Sequence, residues 1–167
     1  LKRAHVLRVR VVVTQYRLYK IMQTQKIKML PTLESTIEKA RQLNIPVERI
    51  QVLNPLIEYI QSKIDQVKDI NLNFICTHNS RRSQFSQIWA QTAADYFGVP
   101  ANCYSGGVEV TAFNERAAAS IKRSGFRVTA KGDTNPVYFV FNSDDNEPIS
   151  AFSVSYTHLT LPTRTRV

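Results

Sequence analysis

"FICTHNSRRSQF" (residues 74–85) is the stretch from which the fold can be read. An apolar, strand-like run stops at Cys76, a polar loop of five residues follows, and Arg82-Ser83 opens a helical pattern. "LNFIC" (72–76) reads as a short buried strand, and residues 83–97 as a helix burying Phe85, Ile88, Trp89, Ala93 and Tyr96 or Phe97. A strand that feeds a helix through a short loop is half of a parallel crossover. Ligands of such sheets bind at the carboxyl ends of the strands. The loop between Cys76 and Arg82 therefore occupies a ligand-binding position.

Working outward, Gly98-Val99-Pro100 ends the helix and "NCYSGG" (102–107) reads as a second strand with a glycine turn. Residues 112–126 form a helix closed by Gly125, and "VYFVF" (137–141) is a third strand-like run. Strand, helix, strand, helix, strand is the pattern of an α/β domain with a parallel sheet. Upstream, residues 32–43 predict a helix with Ile37, Ala40 and Leu43 on one face. Pro46 opens a short helix carrying Val47, Ile50 and Leu53, and Asn54-Pro55 starts another as N-cap and first residue. Leu56, Ile57, Ile60, Ile64 and Val67 make an apolar stripe that packs on the domain beginning near Asn71.

The 167 residues suffice for one domain with a core, and 43% hydrophobic with 21% charged residues is ordinary globular composition. No apolar run approaches the ~18 residues of a membrane helix, so no membrane partner is expected. The two cysteines, Cys76 and Cys103, imply no disulfide framework, and a reactive thiol suits a reducing cytoplasm.

The net charge of +9 belongs to the ends. Of 22 basic residues, eight lie in 1–28 and two in 152–167, where there are no acids, so the remaining twelve face all 13 acids and residues 29–151 carry −1. A face for DNA or RNA belongs on the fold, so nucleic acid is not an expected partner. Residues 1–28 read as a non-native or disordered leader. An edge strand at 6–13 and an Arg-rich targeting peptide are the other two readings of it. "VSYTHLTLPT" (154–163) has no helical period and resembles the translation of a sequencing adapter, so 154–167 reads as an adapter-derived tail on a truncated frame. Between these ends lie a helical extension (29–69) and an α/β domain (70–153).

The loop has a definite chemistry. Free N–H groups at a helix start, with the helix dipole, favour an anion with several oxygens. Arg82 adds a planar fork that matches two oxygens of a phosphate-like group. The same field lowers the pKa of a thiol from its usual ~8.5, making Cys76 a thiolate nucleophile beneath a bound oxyanion. Ser83 can donate to the sulfur, and Asn79 can fix the loop.

"CTHNSRRSQ", with an apolar run before it and an amphipathic helix after it, resembles the loop of the low-molecular-weight protein tyrosine phosphatase superfamily, which includes thiol-coupled arsenate reductases. The match lies at Cys76, Asn79, Ser80, Arg82 and Ser83. "SGG" (105–107) and the following helix continue it, over about Asn71 to Phe126. The resemblance implies an incomplete three-layer phosphatase-type α/β domain with a parallel sheet, preceded by a helical N-terminal extension. It implies a cytoplasmic enzyme in which Cys76 attacks a phosphate monoester and Arg82 clamps the oxyanion. Backbone N–H groups of Thr77, His78, Asn79, Ser80, Arg81 and Arg82 would form the cradle, with Asn79 and Ser83 as supports. Arg81 reads as a solvent-facing companion, and His78 as a positioning residue without a proton to take.

Substrates on this reading are a phosphate or arsenate oxyanion, or a phosphotyrosine protein. No cofactor or metal is implied, although the reductase branch would need thioredoxin or another thiol reductant. A non-catalytic oxyanion-binding module is the third alternative. The family's general acid is an aspartate in a loop close to the C-terminus, and the reductase branch uses a further cysteine pair there; neither can be placed in this chain. Asp144 and Asp145 read as hairpin-turn residues, and Cys103 as a small core residue.

Overall fold

A computed structural model describes residues 27–155. Most of the leader, including the 6–13 segment, and most of the 154–167 tail lie outside the described residues.

The fold is mixed α/β and is organised around one crossover. Strand β1 (Ile70–Cys76) runs parallel to β2 (Ala101–Gly107), in register from Ile70 opposite Ala101 to Cys76 opposite Gly107. Parallel neighbours need a long return, and α3 (Arg82–Phe97) supplies it, ending on Gly98 in the left-handed conformation. β1 alternates: Ile70 is buried, Leu72, Phe74 and Cys76 are partly so, and Asn71, Asn73 and Ile75 are exposed. The strand is thus half-buried rather than sealed on both faces, because the parallel sheet has only these two strands among the described residues.

The run 137–141 forms a strand but joins a different sheet. β3 (Arg127–Lys131), β4 (Val137–Phe141) and β5 (Ile149–Ala151) make an antiparallel meander in that order. Only residues 132–136 separate β3 from β4, and so short a link can only reverse the chain. Asp144 and Asp145 lie in the connection from β4 to β5, as their composition suggests.

The larger core lies between α3, the meander, α4 (Glu115–Arg123) and α1 (Pro31–Arg41), with Leu33, Ile88, Phe113, Ile121 and Val140 at its centre. Trp89 and Phe126 meet edge-to-face at 5.1 Å, a geometry worth about 0.5–1.5 kcal/mol beyond the area it buries. α1 docks through Leu33 and Ile37, not through Ile37, Ala40 and Leu43. The helix stops at Arg41, which leaves Leu43 72% exposed. Gly125 (φ +102°) closes α4 and lets α1 approach, since a Cβ there would lie 2.4 Å from the carbonyl oxygen of Thr32.

α2 (Val47–Asp65) is one helix with Pro55 inside it, not two. Leu53, Leu56, Ile60 and Ile64, its partly buried apolar positions, keep helical spacing through the proline, so one face continues across it. Ile60 and Ile64 pack on a small second core of Ile70, Ala94 and Ala101. Ile57 and Val67 point away and are half exposed.

On α3 the buried face is unexpectedly polar. Gln84, Gln87 and Gln91 are buried beside Ile88, whereas Ala93 and Phe97 are exposed. Gln91 donates to the Ala101 carbonyl and accepts the Cys103 N–H, which pins the helix to β2. Gln87 accepts from Ser105 Oγ and donates to the Ser150 carbonyl, joining β2 to the meander.

Candidate functional site

The site is built where β1 gives way to α3. The carbonyls of residues 76–81 are all occupied by protein donors. Val108 N–H bonds to Cys76 O and Glu109 N–H to Thr77 O. The Thr111 and Ser153 hydroxyls bond to His78 O, and Gln84 Nε2 to Asn79 O. Asn114 N–H bonds to Ser80 O and Phe85 N–H to Arg81 O. With every carbonyl held by the protein, the loop is fixed, and the N–H groups of Asn79, Ser80 and Ser83 are directed at the Cys76 sulfur, an arrangement that favours an anion.

Asn79 sets the shape. Its φ of 45° is left-handed, a conformation that asparagine tolerates better than most residues. Its fully buried side chain donates to Ser83 Oγ at 2.8 Å and accepts from Val154 N–H at 2.9 Å. Gln84 Nε2 locks the turn from below by donating to Asn79 O and Oδ1 and to Phe152 O. This orientation leaves Gln84 Oε1 buried without a partner among the described residues. Such an orphan costs about 1–3 kcal/mol.

Gly107 completes the seat. A Cβ on it would lie 2.6 Å from Asn79 N and 2.9 Å from Thr77 O, so only glycine lets β2 pass under the loop. Its N–H bonds to the Val154 carbonyl, and a parallel bridge joins it to Ser155.

Cys76 Sγ lies 3.1 Å from Ser83 Oγ. Burial opposes ionisation of this thiol. The donors outweigh it: the Ser83 hydroxyl first, then the N–H groups of Ser83, Asn79 and Ser80, bring the pKa from 9.0 down to about 7. Hydroxyl and amides account for the shift, and no guanidinium is among its causes. Arg82 instead lines the same pocket, a cavity of about 590 Å³ walled by Cys76, His78, Ser80, Arg81, Arg82 and Thr111. At its rim His78 Nε2 lies 3.1 Å from Glu109 Oε2, both side chains exposed.

The structure thus brings Cys76, His78, Ser80, Arg81 and Arg82 to one pocket and puts Asn79 and Ser83 behind it as supports. Thr77 does not line it and contributes its carbonyl to the β2 side. Asp144 is elsewhere, bound to Arg127 at 2.6 Å on the hairpin. Cys103 is buried opposite Leu72, four rungs below Cys76. Burial first, and the Asp95 carboxylate second, push its thiol up to about 12.

Sequence reading missed Gln84, Thr111 and Ser153, which hold loop carbonyls, and Glu109, which pairs with His78. Glutamines at 84, 87 and 91 share the spacing of a core-facing stripe. That was the one available signal, and hydrophobic periodicity passes over it. No family model, curated protein or solved structure matches this chain.

Proposed function

We propose that this chain carries the nucleophilic site of a low-molecular-weight protein-tyrosine-phosphatase-like enzyme, on a domain of the three-layer phosphatase type. One observation carries the reading. A thiol with its pKa lowered to about 7 faces the same cavity as an arginine, at the mouth of a loop whose carbonyls are all turned to protein donors.

The chemistry follows. A phosphate monoester seats its non-bridging oxygens on the loop N–H groups and the Arg82 fork. The Cys76 thiolate attacks phosphorus, a sulfur–phosphorus bond forms, and the bond to the leaving oxygen breaks with its electron pair. That oxygen takes up a proton. Water then attacks phosphorus and yields a proton to solvent, the sulfur–phosphorus bond breaks with the sulfur departing as thiolate under the Ser83 hydroxyl, and inorganic phosphate is released. Among the described residues no carboxylate lines the pocket, and Glu109 stands at its rim against His78. Cytoplasmic location and a phosphotyrosine-protein substrate belong to the same proposal. Among the described residues no helix is long and apolar enough to cross a membrane.

The arsenate-reductase alternative uses the same cradle but needs further thiols within reach of the arsenylated sulfur. Cys103 does not suit that role, being buried, four rungs away and far from ionised at neutral pH.

The test uses p-nitrophenyl phosphate, whose leaving group needs little protonation. The expected outcome is a stoichiometric burst of p-nitrophenolate and a phosphate adduct on the Cys76 peptide by mass spectrometry, followed by slow turnover. Cys76→Ser should abolish both, and Arg82→Lys should slow the burst about 10²–10³-fold by losing bidentate contact. A burst that survives Cys76→Ser would refute the assignment.

A further inference from the structure

Beyond Arg81, which also walls the Cys76 pocket, lies a second groove of about 340 Å³ between α3 and α4. Arg81 and Phe85, one helical turn apart, form one wall. Arg116, Ser120 and Arg123, which share a helical stripe, form the other. Arg81 is common to the lining of both cavities, so the groove lies beside the Cys76 pocket.

Three arginines meet here although residues 29–151 carry a net charge of −1. All three are exposed, no acid lines the groove, and among the described residues no carboxylate pairs with any of them. The adjacent Glu115 belongs to a different side of α4. Concentrated positive charge with an aromatic side chain in one wall is complementary to an acidic segment, not to a small oxyanion already held by the loop.

The geometry also sets a length. The N–H of Asn114, the N-cap of α4, bonds to Ser80 O, so α4 starts against the catalytic loop. Arg116 is then near the pocket, and Arg123, seven residues on, lies about 10 Å further along the helix. An extended peptide advances ~3.3 Å per residue and covers that distance in about three residues.

We propose that this groove is a substrate-recognition extension of the Cys76 site, holding carboxylate side chains within about three residues of the phosphorylated residue of an acidic peptide. It rests on the reading of Cys76 given above and adds the class of substrate.

The test measures fluorescence anisotropy of labelled phosphotyrosine peptides on the full chain carrying Cys76→Ser. One peptide has glutamates flanking the phosphotyrosine and the other has glutamines. The glutamate peptide should bind about tenfold more tightly at low salt, the sum of two or three exposed ion pairs. Arg116→Gln with Arg123→Gln should erase that preference, leaving the affinity for the glutamine peptide and the circular dichroism spectrum unchanged. Arg116→Glu with Arg123→Glu should invert it in favour of a lysine-flanked phosphopeptide.

Equal affinity for the glutamate and glutamine phosphopeptides, or a preference that survives both pairs of substitutions, would overturn the groove and leave the Cys76 reading standing. Arginine-dependent binding that is the same with and without the phosphate would overturn it as an extension of the Cys76 site and place the failure at Cys76. Displacement by a single-stranded oligonucleotide at lower concentration than by the glutamate peptide would assign the groove to nucleic acid and overturn the proposal.

Discussion

Ser83 Oγ receives the side-chain N–H of Asn79 at 2.8 Å and lies 3.1 Å from Cys76 Sγ. With its acceptor side occupied, the hydroxyl has its own proton free to point at the sulfur, and a thiolate can only accept. Asn79 thereby orients the donor that most lowers the Cys76 pKa. In the thiolate absorbance of an ultraviolet pH titration, Ser83→Ala should move the Cys76 inflection upward from about 7, towards the 9.0 of an ordinary thiol. The sign follows from the cause: removing a donor to the anion disfavours the anion. An unmoved inflection would mean that the amides alone set the pKa. This part of the site was legible, because the spacing of Cys76, Arg82 and Ser83 is local and a strand–loop–helix leaves few ways to arrange it. The support beneath was not. Gly107, Thr111 and Ser153 come from distant positions, and nothing local in their sequence says that they meet the loop.

At the scale of elements, α2 ends in a strained residue. Val67 has φ 53° while its N–H bonds to Ile64 O and the Lys68 N–H to Lys63 O, the two bonds of a Schellman cap. A β-branched residue in that conformation is costly, and Val67 is 53% exposed, so little packing compensates. Val67→Gly should raise stability by about 1 kcal/mol, read as a higher urea midpoint at unchanged slope. A lower midpoint would mean that the side chain packs more than its exposure indicates. The sequence places Val67 on the apolar stripe, since periodicity does not record where a helix stops. For the same reason Asn54-Pro55 looks like a boundary. Local propensity favours a restart, yet the partly buried Leu53, Leu56, Ile60 and Ile64 hold one line through it. Strand β4 shows the matching limit for sheets. Composition identified 137–141 as a strand, but its partner was set by the short 132–136 link to β3, which forces an antiparallel meander.

Across the whole molecule, the loop from Cys76 to Arg82 is held from three directions. β2 passes beneath it with Gly107, α4 starts against Ser80 O, and residues 152–154 after β5 reach Gln84, His78 and Asn79. Buried glutamines on α3 bind these parts with hydrogen bonds where most crossover helices use apolar contact, so loop geometry and global fold are coupled. The α/β class could be read from the alternation of elements, whereas this polar cross-bracing is invisible to any pattern built on hydrophobicity. Nucleophilic chemistry at this loop requires Cys76 to be an anion in an anion-holding cradle. The most direct test follows iodoacetamide labelling of the two cysteine peptides by mass spectrometry across pH, with and without inorganic phosphate. Cys76 should label with a half-maximal rate near pH 7 and be slowed competitively by phosphate, while Cys103 stays unlabelled in the folded chain. A Cys76 inflection near pH 9 that ignores phosphate would contradict the account.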